Sequence, residues 1–282
     1  RAAGGARCVR GVAVRAEVAA VSFCPGLEHL LLVASGVDLL GYDLRSDRVL
    51  LQEPAHRLPG VAEDEINQVV VDSSGAFAAV AEDSGAAHWV DVRAWRRERT
   101  FAGKHGHTNI CSSVALRPGR TWGLASGGLD AAVVLWTRTG RGRRVQLQPD
   151  ASDDASACAS GGPQLCNPPF VHSVAYSPDG QHVAAGLGDG SVAVLEAGAG
   201  GQVQLLRGHA AAVCQVLYAG PRLFSAGNDQ RLCAWRPAAD APTGPEDSLR
   251  LDDKVNALAW AGDALFVAGL GPDITSFEGW SR

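Results

Sequence analysis

Short apolar runs alternate with polar turn residues along almost the whole chain. Six of these runs alternate apolar and polar positions and end in a turn rich in Pro, Gly, Ser or Asp. They cover residues 18–26, 66–75, 109–119, 171–180, 213–220 and 255–263. Alternation with a period of two is typical of a β-strand with one buried face, and the turn residues indicate where each strand ends. The chain is therefore expected to consist of strands and tight turns.

Each of the six runs is followed by a second and a third apolar run, so that the chain is built of repeats. One copy follows the next after roughly 40–60 residues, the period of a solenoid or propeller. The six repeats lie near 18–50, 64–100, 105–147, 168–206, 207–237 and 254–282. Strand triplets at this period predict a single all-β domain, a β-propeller in which small sheets called blades surround a central axis.

Three segments fall outside the repeats. Residues 1–17 precede the first copy, and Cys8 to Val14 are expected to form an outer strand. It belongs either to the sixth blade of a six-bladed ring or to a seventh blade whose front part is missing. The chain contains no Met, even at position 1, which favours the second alternative. Residues 148–167 and 237–253 are rich in small, acidic and turn-forming residues and are predicted to be disordered loops.

Two repeats carry the same four polar or aromatic residue types at matching positions. Each has Gly-His, then Ser, then Asp six residues before Trp, a pattern that resembles the WD-repeat family. The resemblance implies a buried hydrogen-bonded set in each of these repeats. The sets are His107, Ser126, Asp130 and Trp136, and His209, Ser225, Asp229 and Trp235. Buried carboxyl and imidazole groups are tolerated where they satisfy one another, so a structural role is favoured over a metal-binding or catalytic one.

The other repeats depart from this pattern at the Trp position. Tyr42, Leu195 and Phe277 stand there, and Trp89 comes one residue early. The run NICSSVA (109–115) goes beyond the generic repeat, since repeats of this kind do not fix Asn, Cys and paired Ser there. It resembles one seven-bladed branch of the WD-repeat family, and weaker similarity to that branch continues to the end of the chain.

Two consecutive repeats end their third apolar run on Asp-x-Arg. The first reads GYDLRS, with Tyr42, Asp43 and Arg45, and the second reads WVDVRA, with Asp91 and Arg93. Residues i and i+2 of a strand point to the same side, so each Asp and Arg should leave its blade together. WD-repeat substrate receptors of cullin-4 ubiquitin ligases have similar W/Y-D-x-R endings that dock on the ligase adaptor. The alternative is a local ion pair on a solvated turn.

Composition and charge narrow the function classes. The net charge is −5 and charged residues are 20% of the chain, so there is no global electrostatic case for nucleic-acid binding. Basic clusters at 93–99 and 137–144 are expected to be exposed turns between third and fourth strands. No apolar run is long enough to cross a bilayer.

The chain offers no recognisable catalytic or cofactor chemistry. Its seven Cys include no Cys-x-x-Cys pair, and Cys158 and Cys166 have no nearby His, so no zinc site is expected. Reduced thiols are typical of an intracellular protein, in the cytoplasm or nucleus. We expect a non-catalytic scaffold without metal or cofactor, with ligase docking as the leading function. The alternative is a peptide-reading scaffold in an unrelated complex.

Overall fold

The computed structural model describes residues 10–120, 122–148, 168–238 and 242–279. These residues form six antiparallel sheets, one for each predicted repeat, and a pair of short strands beside the first sheet. Five of the sheets have four strands and the last has three. The predicted all-β propeller with six repeats is therefore confirmed.

In blades 1 to 3 the strands follow chain order across each sheet, from the inner to the outer strand. Blade 1 contains β2 (Val18–Cys24), β3 (Leu27–Ser35), β4 (Asp38–Asp43) and β6 (His56–Leu58), and the separate pair consists of β1 (Gly11–Val12) and β5 (Leu50–Leu51). Blade 2 contains β7 (Ile66–Val71), β8 (Phe77–Glu82), β9 (Ala87–Asp91) and β10 (Arg96–Phe101). Blade 3 contains β11 (Cys111–Leu116), β12 (Leu124–Gly128), β13 (Ala132–Trp136) and β14 (Gly142–Gln146). A 3₁₀ turn at Gly103–His105 leads from blade 2 to blade 3.

Blades 4 to 6 repeat this arrangement. Blade 4 contains β15 (Val171–Tyr176), β16 (His182–Leu187), β17 (Ser191–Glu196) and β18 (Gln202–Arg207). Blade 5 contains β19 (Val213–Ala219), β20 (Arg222–Gly227), β21 (Arg231–Trp235) and β22 (Asp247–Arg250). Blade 6 contains β23 (Val255–Ala261), β24 (Ala264–Gly269) and β25 (Ile274–Glu278). The inner strands β2, β7, β11, β15, β19 and β23 are neighbours in that order.

Apolar side chains fill the space between consecutive blades. Five clusters of buried aliphatic and aromatic residues each join two neighbouring blades, from blades 1 and 2 to blades 5 and 6. The two end blades differ, because Phe23 of β2 is 58% exposed and Ile274 of β25 is 71% exposed. A seventh blade is not among the described strands, so a seven-bladed ring stays a prediction.

Side chains of the inner strands also bond one blade to the next. The Gln68 carbonyl oxygen accepts hydrogen bonds from the Ser113 hydroxyl (2.9 Å) and the Val114 amide (2.7 Å). The Ser113 hydroxyl oxygen in turn accepts the Val174 amide (2.9 Å), and that of Ser173 accepts the Val216 amide (3.1 Å). These bonds join blades 2, 3, 4 and 5.

The equivalent inner-strand position in the two end blades is an alanine. Ala20 in blade 1 and Ala257 in blade 6 follow the same register shift that precedes Gln68 and Ser113. Since alanine has no polar side chain, it offers no side-chain acceptor to the next blade.

The predicted outer strand at Cys8 to Val14 lies against the first blade rather than completing the last one. Gly11–Val12 pair in parallel with Leu50–Leu51, and within the described residues they pair with no strand of blade 6. Val12 and Val14 pack on a buried cluster of blade 1 that includes Leu40 and Tyr42, and this burial holds the segment there. Cys8 is outside the described residues.

Two further expectations need correction. Residues 237–253 are predicted to be disordered, but Asp247–Arg250 form the outer strand of blade 5 because Leu249 and Leu251 pack on a buried cluster. The basic clusters are predicted to be turns, yet much of each lies in an outer strand, Arg96–Phe101 or Gly142–Gln146. Charged side chains suit such edge strands because they discourage pairing with other chains. The predicted loop 148–167 lies almost entirely outside the described residues.

Candidate functional site

The Asp-x-Arg ending of blade 1 closes on itself. The Arg45 backbone N–H donates to Asp43 Oδ1 (2.9 Å), and its guanidinium donates to Oδ1 from Nε (3.0 Å) and to Oδ2 from Nη2 (2.6 Å). The Arg45 side chain is nevertheless 68% exposed. The hydrogen bonds from Arg45 hold the pKa of Asp43 below its ordinary value. The pair is therefore a surface ion pair that a partner can reach and open.

Tyr42, which precedes this pair, belongs to the core. Its ring is only 2% exposed, and its hydroxyl donates to the Ala13 carbonyl oxygen at 3.2 Å. The side chain therefore anchors the N-terminal segment to blade 1. A partner at the rim would meet Asp43 and Arg45, whose strand Tyr42 holds in place.

The Asp-x-Arg ending of blade 2 has the same backbone turn and a different side-chain arrangement. Asp91 Oδ1 accepts the backbone N–H groups of Arg93 (2.9 Å) and Ala94 (2.8 Å). The Arg93 side chain is exposed, and its guanidinium makes no hydrogen bond or ion pair with any described residue. This arginine is available to a partner without breaking a contact.

Trp95 joins the two endings. It has a left-handed backbone, with φ of 48°, and its ring stacks on His56 of blade 1 with centroids 4.9 Å apart and planes at 12°. The ring also lies directly over Gly41, where an added Cβ would overlap Trp95 Cη2. Gly41 is thus the residue that lets the turn of blade 2 rest on the last strand of the GYDLRS segment. We call the exposed surface formed by Asp43, Arg45, Asp91, Arg93 and Trp95 the Asp-Arg rim.

The four residues of the blade 3 set are brought together. His107 Nδ1 lies 2.9 Å from Asp130 Oδ1, and His107 Nε2 lies 2.8 Å from Ser126 Oγ. Trp136 Nε1–H donates to the same Ser126 oxygen at 2.8 Å. Burial alone would raise the pKa of Asp130, but hydrogen bonds from His107, the Thr108 amide and an arginine lower it below its ordinary value. The carboxylate thus stays ionised and ties the loop before blade 3 to two strands.

The blade 5 set repeats this geometry. His209 Nδ1 lies 2.9 Å from Asp229 Oδ1 and Nε2 lies 2.7 Å from Ser225 Oγ, which also accepts the Trp235 Nε1–H at 2.8 Å. Both histidine side chains are fully buried. The second oxygen of each Asp accepts a backbone amide, from Ala210 in blade 5 and from Thr108 in blade 3. The side-chain polar atoms of both sets are thus engaged in structural hydrogen bonds.

Blade 2 contains a buried polar set that the sequence analysis missed. Glu82 accepts hydrogen bonds from the Ser84 hydroxyl (2.6 Å) and the Asp64 amide (3.0 Å). His88 Nε2 lies 3.2 Å from Glu82 Oε1, and both side chains are fully buried. Burial lowers the pKa of His88 despite this neighbour. The set has no Trp partner and its acid is Glu instead of Asp, so the WD pattern does not predict it. The available signal was His88, a histidine inside the third apolar run of this repeat.

The central channel presents polar side chains from several blades. One half of the channel is a cavity of about 490 Å³, and residues from five inner strands that line it are Asn67, Ser112, His172, Gln215 and Asn256. Burial lowers the pKa of His172, so the imidazole is neutral near pH 7. The channel mouth is a second surface on which a peptide could be bound.

The described part of the chain was searched for metal-binding groups and for membrane-spanning helices. No group of three or more His, Cys, Asp or Glu side chains there is placed to hold a metal ion. No helix there is long and apolar enough to cross a bilayer. The four cysteines that the structure describes, Cys24, Cys111, Cys214 and Cys233, are free thiols. Cys158 and Cys166 lie outside the described residues.

Comparison with known proteins agrees with the repeat and the fold. The WD domain, G-beta repeat, matches residues 95–137 and 165–194. The branch that NICSSVA resembles is WD repeat-containing protein 53. The WD repeat-containing protein 53 homolog of Dictyostelium discoideum is 27% identical in an alignment of 235 residues that covers 77% of this chain. The chain spans 63% of the length of that relative.

Two solved structures share the architecture. A chain of the mitotic checkpoint complex superposes with a TM-score of 0.71 at 18% identity, covering 93% of this chain and 73% of its own length. U3-55K superposes with a TM-score of 0.74 at 14% identity, covering 94% of this chain and 78% of its own. These two likenesses agree with the propeller fold, and the matched repeat segments fall within its second, third and fourth blades.

Proposed function

We propose that this protein is a non-catalytic substrate receptor of a cullin-4 ubiquitin ligase, acting in the cytoplasm or nucleus and docking on the ligase adaptor through the Asp-Arg rim. The observation that supports this most is the contact of Trp95 with Gly41. It rests the turn that follows one Asp-x-Arg ending on the strand that carries the other, on consecutive blades. WD-repeat substrate receptors dock through endings of the same kind.

The chemistry of the rim suits a protein partner. Arg93 offers a free planar guanidinium that can form bidentate bonds with a carboxylate or with backbone carbonyl oxygens. Arg45 offers a second once its exposed pair with Asp43 opens, and exposed pairs of this kind contribute little to stability. Arginine and tryptophan are also enriched among the residues that dominate binding energy at interfaces. Catalysis would then belong to the ligase, and this chain would position the substrate.

The test is a pull-down of the ligase adaptor with the full-length protein and two variants, Arg45→Ala and Arg93→Ala. Arg48→Ala is the matched control, because Arg48 is an exposed arginine of the same turn as Arg45. We expect adaptor capture to fall in both rim variants and to persist in the control, with unchanged thermal unfolding in all three. Capture that survives both rim substitutions, or that is absent from the unmutated protein, would contradict the proposal.

The second candidate is a peptide-reading scaffold in an unrelated complex. It is favoured by the polar lining of the central channel, where the Asn67, His172 and Asn256 side chains surround a cavity open to solvent. Substitution His172→Ala would then abolish partner capture while Arg45→Ala and Arg93→Ala would not. A single set of pull-downs with these variants separates the two functions.

A further inference from the structure

A second surface pocket lies between blades 2 and 3, on the far side of blade 2 from blade 1. Its volume is about 450 Å³, and Phe77, Trp89 and Trp122 form its aromatic walls. The two tryptophan rings are only 4.0 Å apart between centroids, and Phe77 lies 5.4 Å from Trp89. Together with Arg99 and Arg138, which stand at its edge, these residues define what we call the blade 2–3 pocket.

The hydrogen-bond donors of the blade 2–3 pocket are unoccupied. The Trp122 indole N–H is buried and has no hydrogen-bond partner among the described residues. Arg99 and Arg138 are exposed, and neither guanidinium forms a hydrogen bond or ion pair with a described residue. Arg99 Nη1 lies 3.4 Å from the position that a Cβ on Gly140 would take, so it reaches the turn that carries Arg138. Two guanidinium groups therefore flank one aromatic cavity.

Two carboxylates lie at the same edge, and each has one oxygen engaged. Asp91 Oδ1 accepts the amides of the Arg93 turn, and Glu98 Oε1 accepts the Arg96 guanidinium, so neither of these bonds involves Arg99 or Arg138. A ligand that pairs with these two free guanidinium groups supplies acceptors and negative charge. It must also supply an apolar group, because the walls are aromatic.

The strand beside the blade 2–3 pocket favours an extended peptide as that ligand. β10 is the edge strand of blade 2, and no described strand pairs with its outer side. A bulge at Glu98 interrupts its register, and Arg99 lies directly opposite Trp89 of β9. An edge strand can accept the backbone of a bound segment, while pockets beside it select alternate side chains.

We propose that the blade 2–3 pocket binds an extended segment of a protein partner that carries an acidic residue beside an apolar one. The apolar side chain packs against the aromatic wall formed by Phe77, Trp89 and Trp122, and the carboxylate lies between Arg99 and Arg138. This inference goes beyond ligase docking, because it involves neither Arg45 nor Arg93.

The test follows the indole N–H signals of the ¹⁵N-labelled protein by NMR. The probes are the peptides acetyl-Gly-Phe-Glu-Gly-amide and acetyl-Gly-Phe-Gln-Gly-amide, which differ only in charge. We expect the Glu peptide to shift the Trp122 and Trp89 signals in a saturable way and the Gln peptide to bind about fivefold more weakly, the upper range for an exposed ion pair. The buried Trp136 and Trp235 signals serve as internal references for an intact fold.

Substitutions test whether Arg99 and Arg138 bind the carboxylate of the peptide. The double variant Arg99→Ala/Arg138→Ala should lose the preference for the Glu peptide. Arg141→Ala should keep it, because Arg141 is an exposed residue of the same turn as Arg138 and does not line the pocket. Equal shifts from both peptides, a preference for the Glu peptide that persists in the double variant, or no shift at the highest peptide concentration would overturn the proposal. Stronger shifts from a single-stranded oligothymidine would also overturn it and would assign the pocket to nucleic acid.

Discussion

The ends of blades 1 and 2 share one short pattern and use it differently. In both, the Asp carboxylate accepts the backbone N–H two residues on, at 2.9 Å. In blade 1 the carboxylate also holds the Arg45 guanidinium, whereas in blade 2 it takes the Ala94 amide and leaves Arg93 free. The spacing therefore determines the turn, because an Asp side chain readily bonds the backbone two residues on. It does not determine where the arginine points, since the guanidinium is bonded to the Asp in one turn and free in the other.

The largest effect is expected when the contact between Trp95 of blade 2 and Gly41 of blade 1 is removed. Gly41→Ala places a Cβ well inside contact distance of the Trp95 ring, so the ring must move off blade 1. We expect an overpacking cost of about 1–3 kcal/mol, which lowers the midpoint of thermal unfolding by roughly 2–10 °C. Differential scanning calorimetry measures this midpoint.

Gly201→Ala is the matched control for Gly41→Ala. Its added Cβ would meet no atom within 4 Å, so the substitution should be neutral or slightly stabilising. If the two variants unfolded at the same temperature, Trp95 would not hold blades 1 and 2 together. The two Asp-x-Arg endings would then be independent surfaces.

A smaller effect is expected when Arg45 is released from Asp43. Asp43→Asn keeps an oxygen for the backbone turn and removes the charge, so the guanidinium becomes as free as that of Arg93. If the Asp-Arg rim docks on the adaptor, affinity should rise by at most about fivefold, the upper range for an exposed ion pair. Asp91→Asn is the companion variant and should not raise affinity, since Asp91 does not hold the Arg93 guanidinium. Equal changes in adaptor affinity in the two variants would contradict the difference between the Asp-x-Arg endings of blades 1 and 2.

The smallest effect concerns protonation. Arg45→Ala removes the hydrogen bonds that lower the pKa of Asp43, so this pKa should rise towards the ordinary value of about 3.9. Because the folded-state pKa is lowered, Asp43 stabilises the fold above its unfolded pKa and loses that contribution as the pH falls through the folded value. The free energy of unfolding of Arg45→Ala should lack this contribution to its pH dependence. Carboxyl ¹³C NMR titration measures the pKa, with Arg48→Ala as the control; an unchanged value in Arg45→Ala would mean that the pair does not persist in solution.

The repeat could be predicted from sequence because each blade is marked by local patterns. Alternating runs and turn residues mark the three inner strands of every blade, and the His–Ser–Asp–Trp pattern marks blades 3 and 5. The fourth strands were harder to predict. Arg96–Phe101 is mostly charged and Asp247–Arg250 is mostly polar, since an outer strand has only one neighbour and little to bury.

Contacts between blades were the part that local patterns could not predict. Trp95 meets Gly41 across 54 positions of sequence, and nothing in either segment alone indicates the other. The blade 2–3 pocket likewise draws Trp89 from one repeat and Trp122 from the next. Such contacts depend on how neighbouring blades stack, and the local pattern of one repeat carries no information about which residue of the next repeat it meets.

The inner-strand hydrogen bonds through Gln68, Ser113 and Ser173 have a consequence for the order in which the fold comes apart. Because they connect blades 2 to 5, we expect these four blades to open together and last, and blades 1 and 6 to fray first. Amide hydrogens of β2 and β23 should exchange with solvent sooner than those of β11 and β15. The Asp-Arg rim includes residues of blade 1. A partner that binds blades 1 and 2 together would therefore slow amide hydrogen exchange in β2 and protect blade 1 from proteases.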